Sequence, residues 1–249
     1  MRILSWNLHQ STAAWDSLSS MMVTQGVDVA LVQEAVLPGA APDGLKAWPP
    51  FDEPSAWWIP VPAAVMRPWC SAVVARKDAV RRFPRPAVPL GAASSAALSA
   101  THPGQFAVAD VAAGSEVLTV VSLYGLWERM PDGGDIYAEA TLHRVISDVT
   151  PVLQARDRHP IVLAGDLNLW HDYPERVWGE RYRTVFGRLA AYDLEVVGPF
   201  REPAVPAPGN CVCGRPRDVG TSRPIGTRVS PAARRSSLTS CLLRRMCER

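Results

Sequence analysis

Along the first 200 residues, short apolar runs broken by glycine, proline and polar clusters alternate with segments of helical period. Residues 2–8 (RILSWNL) alternate in character and predict a strand ending near Asn7. Ser11 or Thr12 can cap a helix running to about Gln25, with Trp15, Leu18, Met22 and Val23 at core spacing and Gly26 as its stop. Residues 27–34 predict a second strand whose polar end is Gln33-Glu34, so that strand, helix and strand make a βαβ-like unit. Strand character resumes at 71–75. Residues 105–111 and 116–123 then alternate around Ala113-Gly114, a hairpin signal that makes the sheet mixed. A helix is expected over about 136–156, reset near Pro151. A buried strand follows at Ile161-Val162-Leu163-Ala164, bounded by Pro160 and Gly165. A last helix spans 175–191, with Val177, Tyr182, Val185, Phe186 and Leu189 inward.

Three stretches lack a period. Residues 36–70, rich in Pro, Gly and Trp, read as a long irregular excursion with one strand expected near 57–61. Residues 82–89 are proline-rich, and 91–100 are small-residue loop or strand. Beyond about Phe200 the pattern stops: Pro203, Pro206, Pro208 and Gly209 break structure, and Arg, Ser, Thr, Gly and Cys dominate from Arg217. The chain therefore divides into an α/β domain over 1–200 and a tail over 201–249 that is expected to be disordered.

A chain of 249 residues, 47% hydrophobic and 20% charged, is that of a globular protein with a sizeable core. No apolar run approaches the ~18 residues of a membrane span, and no signal-peptide pattern opens the chain, so a cytoplasmic location is expected. The net charge of +2 hides an asymmetry. Residues 201–249 hold ten arginines against Glu202, Asp218 and Glu248, so the first 200 residues are mildly acidic. Such a body exerts no general pull on a polyanion. The five cysteines form no metal-spaced set, since no histidine follows His171 to complete Cys211-x-Cys213.

Candidate chemistry gathers at the strand ends. Asp166 and Asn168, two residues apart just past the 161–164 strand, lie on one face of an extended backbone. A carboxylate and a carboxamide so placed suit holding a water, a metal or a phosphoryl oxygen, although an isolated G-D-x-N also serves as a turn closing a core strand. Asn7 and Glu34 end two further strands, and sites in α/β sheets form where strand termini converge. Glu34 suits a hard cation, which takes one or two carboxylates and keeps waters and phosphate oxygens for the rest. Asn7 can offer its carbonyl oxygen or hydrogen-bond a phosphate. Asp166 and Asn168 can orient a nucleophilic water, with Asp166 also able to act as base.

Trp6-Asn7, Gln33-Glu34 and Gly165-Asp166-Leu167-Asn168, in that order, resemble the endonuclease/exonuclease/phosphatase superfamily of apurinic endonucleases, deoxyribonuclease I-like nucleases, sphingomyelinases and inositol polyphosphate 5-phosphatases. The resemblance covers roughly residues 1–200. It implies a four-layer αββα sandwich of two mixed β-sheets, and hydrolysis of a phosphoester with Mg²⁺ or Mn²⁺. By the same resemblance Glu34 is the principal metal ligand with Asn7 beside it, and Asp166 and Asn168 position water and phosphate. Tyr124, ending the 116–123 segment, would contact the phosphate or pack as an interfacial core tyrosine. His9 and His171 follow site strands, whereas His102, His143 and His159 read as structural.

The chain departs from the family pattern at its end. Members close with an L-D-Y-type strand and an S-D-H motif whose histidine and aspartate complete the site, and neither follows here. An out-of-frame translation from about Arg217 would explain this. From the third base of each codon from Asp218 onward, synonymous codons exist that read R-R-H-V-P-T-Y-R-H-Q-G-E-P-G-R-T-P-F-Q-L-D-F-V-F-A-S-P-D. The expectation is an impaired hydrolase lacking its last strands. Two other readings stay open: a non-catalytic remnant or binding module, and a basic tail that contacts nucleic acid or an acidic partner.

Overall fold

Two parallel strands anchor the N-terminal half. β1 (Ile3–Asn7) and β2 (Val29–Ala35), joined by helix α1 (Ala14–Thr24), pair with Ile3 opposite Val29 and Asn7 opposite Gln33. β3 (Leu45–Trp48) and β4 (Cys70–Arg76) add antiparallel neighbours, giving a sheet of order β1-β2-β4-β3. Further along lie β5 (Val80–Arg82), β6 (Ala87–Pro89), β7 (Leu98–Ala100), β8 (Phe106–Ala113), β9 (Glu116–Tyr124), β10 (Glu128–Arg129) and β11 (Ile136–Tyr137). Helix α2 (Glu139–Leu153), β12 (Ile161–Asp166), helix α3 (Arg176–Ala190), β13 (Glu195–Gly198) and β14 (Thr239–Leu243) follow. The second sheet runs β13-β14-β12-β9-β8-β5, with β8 and β9 forming the expected hairpin and β12 parallel to β9. This computed structural model describes residues 1–58, 67–77, 80–82, 87–89, 97–113, 115–129, 136–154, 160–169, 176–198 and 239–243.

Strand alternation sorts the side chains into layers. Val29, Leu31, Val73 and Ala75 of the first sheet meet Ala109, Val111, Val120, Val162 and Ala164 of the second. On the outer face of the first sheet, Ala30, Val32, Ala72 and Val74 lie under Trp15, Leu18 and Met22 of α1. On the outer face of the second, Val108, Val121, Leu123 and Leu163 lie under Leu142 and Val145 of α2 and Val185, Phe186 and Leu189 of α3. The architecture is a four-layer αββα sandwich. No helix among the described residues is long and apolar enough to cross a membrane.

Several local expectations shift. Val23, adjacent to buried Met22, is turned out of the apolar stripe and is 79% exposed; Val177 is likewise outside at 61%. Neither Ser11 nor Thr12 caps α1 through its side chain. Helix α2 starts after β11 and runs through Pro151, because the buried Val152 and Leu153 hold its last turn against the core. Within 36–70, β3 joins the sheet edge and a 3₁₀ turn at Pro54–Trp57 stands where a strand was expected. There Trp57 is fully buried, stacked on Phe51 at 5.6 Å and edge-on to Trp15 at 5.7 Å. The remainder of that expected strand, 59–61, lies outside the described residues.

The tail also differs at one segment. Thr239–Leu243 forms β14, antiparallel to both β12 and β13, with Leu243 opposite Val162 and Thr239 opposite Asp166. Without such a neighbour, β12 would leave a ladder of unpaired N–H and C=O groups, which is costly wherever water is excluded. The rest of 201–249 lies outside the described residues.

Candidate active site

Parallel pairing brings like ends together. β1 and β2 finish side by side at Asn7 and Gln33-Glu34, and β9 and β12 finish together with Tyr124 opposite Asp166. The two sheets then face each other so that Asn7 and Asp166, 159 positions apart in sequence, hydrogen-bond.

In the first sheet, β2 departs from its ladder with β4 between Val32 and Ala35, and Glu34 sits in this bulge at φ 47°. The loop after β1 is also left-handed, with His9 at φ 50° and Gln10 at φ 59°. Main-chain bonds from Leu8 N–H to Gln33 O (2.8 Å) and from Gln10 N–H to Glu34 O (2.9 Å) hold this loop to β2. Asn168 is left-handed too, at φ 50°, so four of the five non-glycine residues with positive φ among the described residues stand at these strand ends. Each costs on the order of 1 kcal/mol or more, and such strain persists only where the surroundings over-determine it.

In the second sheet, glycine permits the geometry. A Cβ on Gly165 would overlap the Leu123 carbonyl, and one on Gly125 the Leu167 carbonyl. The two strand ends therefore close on each other at van der Waals limits. Gly125 N–H donates to Asp166 O at 2.7 Å, and Asn168 Nδ2 donates to Gly125 O at 2.8 Å. Gln33, which ends β2 with Glu34, instead points between the sheets. Fully buried, it donates from Nε2 to Ser122 Oγ and Leu31 O, each at 3.0 Å, and Ser122 donates on to Val32 O.

At the centre, the amide nitrogen of Asn7 donates to both Glu34 Oε1 (3.0 Å) and Asp166 Oδ2 (2.9 Å). Its oxygen accepts His9 N–H at 2.8 Å, which fixes the amide orientation. The Asn7 oxygen that the sequence offers to a cation accepts this one main-chain donor, which leaves a second lone pair, and the nitrogen faces the carboxylates. Asn168 N–H donates to Asp166 Oδ1 at 3.2 Å. Asp166 is 2% exposed, and burial pushes its carboxyl up to about 6, with Glu34's charge adding to the rise against the bonds from Asn7 and Asn168. Tyr124 is buried, with Asn168 and Glu34 beside its hydroxyl. Burial first, then the two carboxylates, raise it above the usual phenol range, so it stays a neutral donor. Trp69 packs edge-on against its ring at 5.1 Å, and the Arg67 guanidinium lies over Trp69 at 5.4 Å.

Two carboxylates sharing one amide, one of them half-buried and open to solvent, suit a hard divalent cation, and their mutual repulsion is what a cation relieves. Among the described residues no three His, Cys, Asp or Glu side chains cluster as a closed metal cage, so water and substrate oxygens would complete such a shell.

All five expected residues (Asn7, Glu34, Tyr124, Asp166, Asn168) meet here. His9 joins them through its main chain, and His143 on α2 instead meets Thr184 of α3 at 3.1 Å. His102 is buried in the turn before β8, and His159 and His171 lie outside the described residues. Sequence reasoning missed Gln10, whose Nε2 donates to Glu34 Oε2 at 2.9 Å, and Gly125 and Trp69. The available signal for Gly125 was a glycine directly after a strand-ending tyrosine; Gln10 and Trp69 carried none.

The profile of the Endonuclease/Exonuclease/phosphatase family matches residues 4–232. No curated protein sequence matches the chain. Among solved structures, the fold is similar to the AP endonuclease LMAP from Leishmania major, with a TM-score of 0.55 and 15% identity over 97% of this chain and 78% of that one. It is also similar to the APE2 catalytic domain from Xenopus laevis (TM-score 0.50, 15% identity, 76% of this chain and 67% of that). A third is the endonuclease domain of TRAS1, a telomere-specific non-LTR retrotransposon (0.50, 15%, 82% and 77%). At these identities the likeness is one of fold.

Proposed function

Because the chain belongs to the Endonuclease/Exonuclease/phosphatase family, we propose that it is a phosphoester hydrolase working with a divalent cation, Mg²⁺ or Mn²⁺. The reading is carried by the Asn7 amide that holds Glu34 and Asp166 from opposite sheets on one nitrogen. A bound cation would neutralise these carboxylates and polarise a phosphoryl oxygen. Glu34 is its principal ligand, and Asn7 keeps the Glu34 and Asp166 carboxylates apart at a fixed spacing. Asp166, with a carboxyl near 6, orients the attacking water and accepts its proton close to neutral pH. The Asn168 main-chain N–H fixes the Asp166 carboxylate, and Tyr124 donates its hydroxyl to a non-bridging phosphate oxygen.

Residues 172–249 contain no histidine. We therefore place this chain about 10²–10⁴-fold below a complete site, the usual contribution of a positioned acid–base group. Hydrolysis of bis(p-nitrophenyl) phosphate with Mn²⁺ tests the reading. Expected is slow turnover, abolished by chelator and by Glu34→Ala; turnover indifferent to chelator would refute it. Replacing residues 218–249 with the alternative-frame sequence, which restores the Q-L-D-F-V-F strand, should raise the rate if that frame is native. The domain division at about 200 belongs to the same proposal, although the family match itself runs on to 232.

The ten arginines of 201–249 favour a second reading, a tail that contacts nucleic acid. It predicts salt-sensitive DNA binding that deletion of 201–249 removes.

A further inference from the structure

We infer that Gln10 is a positioning residue for the cation site, setting how tightly Glu34 takes a divalent metal; this rests on the metal-dependent reading above. Two carboxamides, one ending β1 and one in the loop that follows it, grip Glu34, one on each carboxylate oxygen. Asn7 Nδ2 donates to Oε1 at 3.0 Å, and Gln10 Nε2 donates to Oε2 at 2.9 Å. Gln10 adds a main-chain bond, its N–H donating to the Glu34 carbonyl at 2.9 Å.

Both residues hold left-handed backbones, Glu34 at φ 47° and Gln10 at φ 59°. Neither conformation is favoured by its own residue type, so the bonds between them fix the pair. A carboxylate offers about four lone-pair directions, and one amide donor on each oxygen leaves both oxygens able to accept a cation. The rotamer order that a cation would otherwise impose on Glu34 is already in place. Unlike an ammonium group, the neutral amide does not compete with the cation for charge. Partners that orient a ligating carboxylate in this way typically account for 10–100-fold in metal affinity.

The test uses the full-length chain with MnCl₂ or MgCl₂ alone, following thermal stabilisation and, for Mn²⁺, the free-ion signal by electron paramagnetic resonance. Gln10→Gly removes the side-chain donor while suiting the left-handed backbone, so the metal-free melting temperature should not fall. The half-saturating cation concentration should rise about tenfold. Gln10→Glu, which places a further charge beside Glu34, should lower it below the parent value. Glu34→Ala should abolish the response. If Gln10→Gly leaves cation affinity within about twofold of the parent, or tightens it, while Glu34→Ala still abolishes binding, the role of Gln10 is overturned and the metal site stands. If Glu34→Ala retains the full response, the metal site itself fails, and the inference fails with it.

Discussion

The two halves of the site both carry a left-handed, non-glycine residue but fit their strand ends by different means. The half from the first sheet, His9, Gln10 and Glu34, uses ordinary side chains in left-handed backbone, braced by hydrogen bonds near the surface. The half from the second sheet, Tyr124, Asp166 and Asn168, is mostly buried and depends on Gly125 and Gly165, whose missing Cβ atoms let two strand ends meet. Where water reaches the carboxylate, strain is countered by hydrogen bonds. Where water is excluded, the backbone itself is fitted, and the carboxylate it carries is shifted in ionisation.

The sharpest way to break this contrast is a methyl group. Gly165→Ala should destabilise the fold by more than about 3 kcal/mol in urea denaturation, since rigid backbone and not a movable side chain occupies the space. Gly39→Ala, with nothing within 4 Å of the new atom, should change stability by less than about 0.5 kcal/mol. Similar losses at both glycines would remove the close-approach argument.

A smaller effect follows from Asp166. Its carboxyl is raised to about 6 in the folded chain, so the folded state keeps a proton that the unfolded state releases near pH 4. Stability of the metal-free protein should therefore fall as pH rises from about 4 to about 6, by roughly 1–3 kcal/mol, and level off above. Asp166→Asn should flatten that window while reducing hydrolysis by about 10²–10⁴-fold. A slope that survives the substitution would assign the titration to another group.

The smallest effect belongs to the first half. His9→Gly should stabilise the metal-free fold by about 0.5–1 kcal/mol, because glycine adopts φ 50° without a Cβ penalty. Destabilisation would show that the imidazole contributes packing that offsets its backbone strain.

Much of this was legible from residue order. Alternation located β1, β8 and β9, short apolar runs located the doubly buried β2, β4 and β12, and helical period located α1, α2 and α3, whose one-sided burial leaves a periodic trace. Edges were read less well. Val23 and Val177 follow the apolar pattern yet face solvent, since one residue of rotation moves a side chain about 100° around the helix. The packing of Phe51 and Trp57 onto Trp15 was invisible, because those two rings lie in an aperiodic segment whose order comes from ring packing and not from a repeat.

Residue order determined which groups end the strands: Asn7, Glu34, Tyr124, Asp166 and Asn168 are polar termini of apolar runs, and that was readable without coordinates. Only the tertiary structure decided how they are used. It turned the Asn7 nitrogen toward two carboxylates because the His9 N–H takes its oxygen, sent Gln33 inward to tie the sheets, and brought Gln10 onto Glu34. Donor directions and shared partners depend on how two sheets stack across 159 residues of chain, and no local pattern encodes that distance.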